Sequence, residues 1–407
     1  MSGTEKMFDD YDVIVRFKPS EYEGIDVVDG DFSSAASSAV GTERYTLNSE
    51  MSFHLDLPYI AQLLNVDIHE VKLNHEFNII NEYQRTLHRL GRIIFFVESW
   101  QVNDSSFPLC QLKMLAPDCA IVVLGWDDYY YSHNIFSMDD CFPKHIELVD
   151  LYLSNTPEAI PFLRNRLGVN AHFFISTPCK KLIELIEEKI NDFNEAPHSL
   201  GCFMSFKDDN KYRSSLKRYL HKSFDNPLLG KKNYHHLFSK NIRETLMDYA
   251  KIKVHLGNTS SAWDSDYYDS NYLEYAFPCM KKECSAPHCM RVKFPLTKYF
   301  KDHRQKVLSS RCMKGVKDFI APLMGAPLIY DDFKWNKILY EGIFPFYDYN
   351  NFDTIKELYH KITDDSETTM KILDTQKAWI KKYSFFNQFK HIIENNQTPF
   401  HEYLNYE

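Results

Sequence analysis

Short apolar runs alternate with amphipathic segments over the first half of the chain. Uninterrupted runs, such as those within Arg92–Val97 and Cys119–Leu124, are typical of strands buried on both faces. The pattern predicts six strands, at Tyr11–Phe17, Asp67–Leu73, Arg92–Val97, Cys119–Leu124, Leu148–Leu153 and Ala171–Ile175. It predicts helices at Leu57–Leu64, Asn78–Leu90, Phe107–Leu115, Pro157–Leu167 and Lys180–Phe193.

The same alternation restarts after Pro197. Strands are predicted at Leu200–Phe206, Tyr249–Leu256 and Ala326–Tyr330, with a further short strand in Glu341–Tyr347 after an acidic loop. Helices are predicted at Tyr212–His221, Gln305–Met324, Thr354–Ile362 and from Thr368 onward, extended by Phe385–Ile393. The polar, tyrosine-rich segment Gly257–Ala276 indicates a lid or an insertion.

Strands that alternate with helices indicate parallel βαβ units. A chain of 407 residues is too long for one ordinary core and fits two domains of roughly 150–200 residues. We therefore expect an α/β fold with two Rossmann-like domains, residues 1–178 and 199–366. A linker over 179–198 joins them, and C-terminal helices over 367–407 follow.

Composition narrows the class of protein. A hydrophobic content of 44% and a charged content of 25% are those of a soluble globular protein. No apolar run reaches the roughly 18–20 residues of a membrane span, and the polar start Met1–Asp10 is unlike a secretory signal. Nine cysteines, an odd number, favour reduced thiols and a cytoplasmic protein.

The net charge of −9 conceals two basic segments. Residues 205–243 hold ten Lys or Arg against three Asp, and residues 281–317 hold eleven against one Glu and one Asp. Clustering of this kind suits a polyanionic partner, a phosphate-bearing ligand or nucleic acid such as DNA. Two solvated helical faces would give the same pattern, so both interpretations stay open.

Other motifs are absent or ambiguous. The chain lacks a P-loop, a G-x-G-x-x-G and an H-E-x-x-H motif, which argues against an NTPase, a dinucleotide oxidoreductase and a metalloprotease. Cys279, Cys284, His288 and Cys289 have spacings unlike the two-residue gaps of most structural zinc sites. They are either loop thiols or a metal site, and the sequence leaves this open.

One basic turn has the chemistry of a phosphate site. Ser205-Phe206-Lys207 ends the first strand of the second half, and Lys211 and Arg213 open the following helix. A helix amino terminus together with ammonium and guanidinium groups binds phosphate well. A surface basic helix is the alternative.

A second segment lies nearer the end of the chain. In Met324–Phe333 the pattern predicts a helix end at Gly325 followed by a buried strand. Asp331 and Asp332 lie at the carboxyl end of that strand, where parallel sheets bind ligands. Lys317 precedes this glycine, and Arg311 is a further basic candidate.

This succession resembles the donor-binding domain of GT-B glycosyltransferases, most nearly the T-even-type phage DNA glucosyltransferases. The resemblance implies two domains facing a cleft, with the last helix crossing back to the first domain. It implies an acceptor-side first domain and a second domain that binds a nucleotide sugar, with a UDP-sugar favoured and a divalent metal possible but not required. Ser205, Lys207, Lys211, Arg213, Arg311, Lys317, Gly325, Asp331 and Asp332 would then contact the donor. The family's ribose-binding glutamate is replaced by Ile320, for which Asp318, Asp331 or Asp332 could substitute.

The resemblance also directs attention to acids after the central strands of the first domain. Asp127 and Asp128 follow the strand Cys119–Leu124, and Glu98 follows the preceding strand. A carboxylate there could deprotonate an acceptor hydroxyl, although a loop carboxylate that caps a helix would look the same.

We therefore expect an enzyme, a cytoplasmic hexosyl- or pentosyltransferase that acts in the host cytoplasm if it is encoded by a phage. The acceptor is a hydroxymethylated DNA base or a surface polysaccharide or lipopolysaccharide. A non-catalytic nucleic-acid-binding module with a degenerate transferase fold is the remaining alternative.

Overall fold

The computed structural model describes residues 7–19, 49–73, 77–102, 107–125, 145–157, 159–189, 196–203, 211–230, 246, 248–257 and 316–404. Two parallel sheets organise these residues, each with helices packed against it. The predicted α/β class with two parallel sheets is confirmed.

Six strands form the first sheet. They are β1 Val13–Pro19, β2 Asp67–Leu73, β3 Ile93–Glu98, β4 Ala120–Gly125, β5 Leu151–Ser154 and β6 Ala171–Phe173. Their order is β2-β1-β3-β4-β5-β6, and every neighbouring pair is parallel. All six residues of β4 are buried, as expected for a strand covered by helices on both faces.

The helices of the first half connect these strands. They are α1 Ser49–Leu64, α2 Ile79–Arg85, α3 Ser99–Val102, α4 Leu109–Leu115, α5 Ala159–Asn165 and α6 Lys180–Lys189. Side chains of β1 alternate between the two faces of the sheet: Val13, Val15 and Phe17 pack in one core and Ile14 in the other. The first sheet therefore separates two hydrophobic layers.

Five shorter strands form the second sheet. They are β7 His198–Cys202, β8 Leu228–Leu229, β9 Ile252–Leu256, β10 Leu328–Asp331 and β11 Phe346–Tyr347. Their order is β8-β7-β9-β10-β11, again with parallel pairs throughout. The helices of this half are α7 Lys211–Ser223, α8 Val316–Leu323, α9 Lys334–Tyr340, α10 Asp353–Thr363, α11 Ser366–Lys382 and α12 Phe385–Asn395.

The last two helices attach to different sheets. In α11, Gln376 pairs with the backbone of Leu328 at the start of β10. In α12, Phe385, Phe389, Ile392 and Ile393 pack into the hydrophobic layer of the first sheet. The helices α11 and α12 thus contact different sheets.

Asp56 of α1 joins its own helix to the amino ends of two others. Its carboxylate is fully buried and accepts hydrogen bonds from the backbone N–H groups of Lys180 and Lys181, at 2.9 and 3.1 Å, and of Phe386, at 3.0 Å. One carboxylate therefore caps the amino ends of both α6 and α12.

The structure differs from the predicted elements in several places. In the first half, α1 begins at Ser49 rather than at Leu57, and the four-residue helix α3 was not predicted. Three further differences lie in the second half. The segment expected to be an acidic loop contains the helix α9, whose Trp335 and Leu339 are buried. The helix expected to run on from Thr368 breaks at Ser384, whose side chain accepts from the Asn387 N–H and starts α12. The short edge strand β8 was not predicted, because two residues carry no periodic signal.

Candidate active site

In each sheet one strand marks the point where the order of the strands reverses. β7 lies between β8 and β9 in the second sheet, and β1 lies between β2 and β3 in the first. Open parallel sheets bind ligands in the crevice outside the carboxyl ends of the strands at such a switch point. The carboxyl ends of β7 and β9 are therefore the candidate ligand-binding edge of the second sheet.

Aromatic rings line the described part of this edge. Phe203 directly follows β7, and its ring stacks on the imidazole of His255 in β9, with centroids 5.3 Å apart and an interplanar angle of 28°. Tyr249 contacts the same imidazole with a centroid distance of 5.5 Å. All three side chains are buried, so the imidazole lies inside the protein at the carboxyl end of β7.

His255 belongs to a buried polar cluster with Asp318 of α8 and Tyr330 of β10. The His255 Nε2 lies 3.0 Å from Oδ1 of Asp318, and the Tyr330 hydroxyl donates to Oδ2 at 3.1 Å. Asp318 is 4% exposed and Tyr330 is 2% exposed. Burial, followed by the charge of Asp318, raises the pKa of Tyr330 well above its usual value, so its hydroxyl remains protonated and donates. The cluster links β9, β10 and the first turn of α8.

Gly257 at the end of β9 permits this arrangement. A Cβ at this position would lie 2.0 Å from ring atoms of Tyr330. The glycine lets the Tyr330 ring pass close to the end of β9 and reach Asp318. Gly257 N–H also continues the ladder by donating to the Ile329 carbonyl at 2.9 Å.

The two acids predicted at the end of β10 have local partners. Asp331 is fully buried and its Oδ1 accepts from the Asn336 amide at 2.7 Å. Asp332 follows the strand, pairs with Lys337 at 2.8 Å and accepts from the Tyr349 N–H at 3.1 Å. Asp332 keeps a partly exposed side chain, whereas Asp331 is enclosed; a donor-binding role for either stays a prediction.

Gly325 ends α8 as the sequence predicts. Its φ is +90°, its N–H donates to the Pro322 carbonyl, and the Ala326 N–H donates to the Ala321 carbonyl. These two bonds form a Schellman motif, in which glycine avoids the strain of a left-handed backbone. Helix termination therefore accounts for this glycine, and its predicted contact with a donor stays a prediction.

The remaining site predictions lie at element ends or outside the described residues. Lys211 and Arg213 are in the first turn of α7, Lys317 is in the first turn of α8, and Glu98 is the last residue of β3. Asp127, Asp128, Ser205, Lys207 and Arg311 lie outside the described residues, as do Cys279, Cys284, His288 and Cys289. Of the lid or insertion Gly257–Ala276, only Gly257 is described.

His255 was not among the residues that the sequence singled out. A single histidine inside the predicted strand Tyr249–Leu256 is the one signal that could have drawn attention to it. Its partners lie 63 and 75 positions away along the chain, so no spacing motif could have found the cluster.

Two further observations concern metals and membranes. Within the described ranges, no group of three His, Cys, Asp or Glu side chains is arranged to hold a metal ion. Among the helices described here, none is both long enough and apolar enough to span a bilayer.

Comparison with solved structures finds matches along nearly the whole chain. The N-terminal domain of trehalose-6-phosphate phosphatase from Candida albicans has a TM-score of 0.46 at 10% identity, covering 100% of this chain and 99% of that one. A glycosyltransferase from Rickettsia africae ESF-5 has a TM-score of 0.39 at 11% identity, covering 95% and 100%. No protein-family model and no curated protein matches the chain. At this level of similarity, neither match establishes a function.

Proposed function

We propose that this protein is a nucleotide-sugar-dependent glycosyltransferase of the GT-B type. The observation that carries the proposal is the order of the second sheet, which makes the carboxyl end of β7 a switch point. Ser205 and Lys207 follow that strand end in the sequence, and Lys211 and Arg213 lie in the first turn of α7. Cationic groups and a helix amino terminus at this position suit the diphosphate of a nucleotide sugar.

The packing of α12 against the first sheet supports the same proposal. α12 packs beside α1, and Asp56 bonds its amino end. In this proposal the first domain carries the acceptor, the second carries the donor, and residues 179–198 and α12 are the two connections between them.

The proposed reaction needs one base and one stabilised leaving group. A carboxylate of the first domain removes the proton of the acceptor hydroxyl while the oxygen attacks the anomeric carbon of the donor. The bond from that carbon to the diphosphate breaks, and Lys207, Lys211 and Arg213 stabilise the nucleoside diphosphate that leaves. Asp127 is the first candidate for the base, with Asp128 and Glu98 as alternatives. Glu98 ends β3, beside the switch point of the first sheet. We propose a UDP-sugar as donor and no requirement for a divalent metal.

Donor turnover tests the proposal directly. The protein should hydrolyse or transfer from at least one sugar in a panel of UDP-, GDP- and CMP-sugars, and the matching nucleotide should raise its melting temperature. The variants D127N, D128N and E98Q should separate the base from the alternatives, since the base variant loses kcat but keeps the thermal shift. If the protein shows no turnover of any donor and no thermal shift with any nucleotide, the proposal is wrong.

Duplex DNA is the acceptor that the charge distribution favours. The described part of the first basic segment includes α7, which exposes Arg218, His221 and Lys222 to solvent. Binding through phosphate contacts should weaken steeply as salt rises. A gel shift with duplex DNA at low and at moderate salt tests this, and the absence of any shift would favour a polysaccharide or lipopolysaccharide acceptor.

One observation favours the non-catalytic alternative. Ile320, at the position of the family's ribose-binding glutamate, is an apolar residue fully buried in α8, so it supplies no carboxylate for a ribose. A binding module would show DNA or nucleotide affinity with no turnover, and D127N and D128N would leave that affinity unchanged.

A further inference from the structure

The segment that follows α12, residues 396–404, contacts elements of both halves of the chain; we call it the strap. The Thr398 hydroxyl donates to the carbonyl of Phe173 in β6 at 2.6 Å, and Thr398 is 2% exposed. Oδ1 of Asn396 lies 3.3 Å from Nε2 of His172 in the same strand. These contacts attach the start of the strap to the last strand of the first sheet.

The ring of Phe400 connects this strand to the second half. It meets the Phe173 ring edge-on, with centroids 5.8 Å apart. It also contacts the rings of Tyr383 and Trp379 at the end of α11, with centroid distances of 4.9 and 6.4 Å. Since Phe400 is only 1% exposed, its ring is enclosed between β6 and α11.

The indole of Trp379 extends this series of rings to the helices of the second half. It stacks on Phe319 of α8, with centroids 5.8 Å apart and an interplanar angle of 20°. It meets Tyr340 of α9 at 5.2 Å and Phe344 at 5.8 Å. Paired rings at these distances stabilise each other beyond the burial of their surface. The ring series therefore runs without a break from β6 to α8 and α9.

The strap itself buries few side chains. Its buried apolar side chains are Phe400 and Leu404, and residues 401–403 between them are exposed. Short segments with few buried contacts open at a lower free energy than the sheets they cover. Release of the strap therefore comes before the unfolding of either sheet.

Both ends of the ring series belong to one hydrophobic core, which includes Phe173 of the first sheet and Phe319 of α8. Two halves of a chain move relative to each other unless a large hydrophobic interface joins them. We propose that the strap locks the two halves in one arrangement, and that they move apart only when Phe400 leaves the ring series. This coupling is independent of the proposed function, because it needs no ligand at either sheet.

The first experiment measures hydrogen exchange by mass spectrometry in β6 and in α11. F400A should raise exchange at least about tenfold in both elements, because the loss of a buried phenylalanine ring costs more than a factor of ten in an equilibrium constant. The matched control is Y403A, which removes a ring of the same segment that is 47% exposed. Y403A should exchange as the wild type does in both elements.

A second variant removes a single bond and keeps every ring. T398V has the size of the wild-type side chain but loses the hydrogen bond to the Phe173 carbonyl. If the strap couples the halves, this loss at the first sheet should raise exchange in α11 as well as in β6. Circular dichroism of each variant shows whether it folds, and T398V decides the question if F400A does not.

The outcomes are distinct. Faster exchange in β6 alone, in F400A and in T398V, would mean that the strap serves only the first sheet, and the inference would be wrong. The same conclusion follows if F400A is folded and exchanges like Y403A in both elements. Faster exchange on both sides of the ring series supports the coupling, whether or not any nucleotide sugar is turned over.

Discussion

The side-chain amide of Gln388 forms hydrogen bonds with both backbone groups of Ile175. The Ile175 N–H donates to Oε1 at 2.8 Å, and Nε2 donates to the Ile175 carbonyl at 2.9 Å. Gln376 has the same relationship with Leu328, at 2.9 and 2.8 Å. In each of two successive helices, one glutamine amide thus forms hydrogen bonds with both backbone groups of a single residue. These bonds attach α11 and α12 to different sheets.

Replacing Gln388 by Ala should destabilise the protein by about 3 kcal/mol, because it leaves two buried backbone groups of Ile175 without partners. Urea denaturation measures the loss, and faster hydrogen exchange at Ile175 locates it. Q376A should cost a similar amount, with the exchange increase at Leu328. The control E394A changes an exposed residue of the same helix α12 and should stay near the wild type. Equal stability of Q388A and E394A would contradict the role given to Gln388.

Asp56 should make stability depend on pH in an unusual direction. Burial raises its pKa from 3.8 to about 6, against the lowering effect of the three backbone N–H groups. The pKa of Asp56 is higher in the folded than in the unfolded state, so protonation of this side chain stabilises the fold. This stabilisation is complete below pH 4 and is lost as pH rises through 6. The free energy of unfolding should lose on the order of 3 kcal/mol from Asp56 across this pH range. D56N should remove this contribution, so its urea midpoint should rise more steeply between pH 4 and 6 than that of the wild type. Identical pH slopes for D56N and the wild type would count against the assignment.

His172 of β6 should make stability depend on pH in the opposite direction to Asp56. Its Nδ1 lies 3.0 Å from the guanidinium of Arg164 and its Nε2 lies 3.0 Å from Oδ1 of Asn170, while burial and then the Arg164 charge lower its pKa from 6.5 to about 4. A depressed folded pKa gives stability that is present above pH 6.5 and is lost as pH falls through 4. H172Q removes this titration.

The stability gap between wild type and H172Q should therefore be largest near pH 7 and narrow toward pH 4. Urea midpoints at pH 7, 5.5 and 4 measure the gap. A constant gap would mean that His172 does not titrate in this range. Because Asp56 and His172 oppose each other between pH 4 and 6, the wild-type profile should be flatter there than that of either variant.

Replacing Gly325 or Gly257 by alanine should destabilise the protein, for a different physical reason in each case. G325A should cost about 1–2 kcal/mol from left-handed strain alone, since an added Cβ meets nothing within 4 Å. G257A should cost more than G325A, because its Cβ would collide with the Tyr330 ring. Shortening Tyr330 to Leu should reduce the cost of G257A and leave that of G325A unchanged in a double-mutant cycle. An equal cost of G257A with and without Tyr330 would exclude the collision.

Hydrophobic periodicity predicted most of the elements because burial imposes it locally. The strand Asp67–Leu73 was predicted with its observed bounds, and β3, β4 and α7 were placed within about two residues. The break before α12 was missed because the apolar spacing continues through Ser384, and only the capping bond to Asn387 reveals it. The helix α9 was missed because two aspartates before it suggested a loop.

By itself, the sequence determined the α/β class, the two strand–helix series, the helix end at Gly325 and the clustering of positive charge. These properties depend on residues close together in the chain. Only the tertiary structure decided that β7 and β1 are switch points, that Asp56 caps two helices, and that His255 meets Asp318 and Tyr330. Each of these brings together residues far apart in the chain, and their contacts follow from the order of the strands, which local periodicity does not encode.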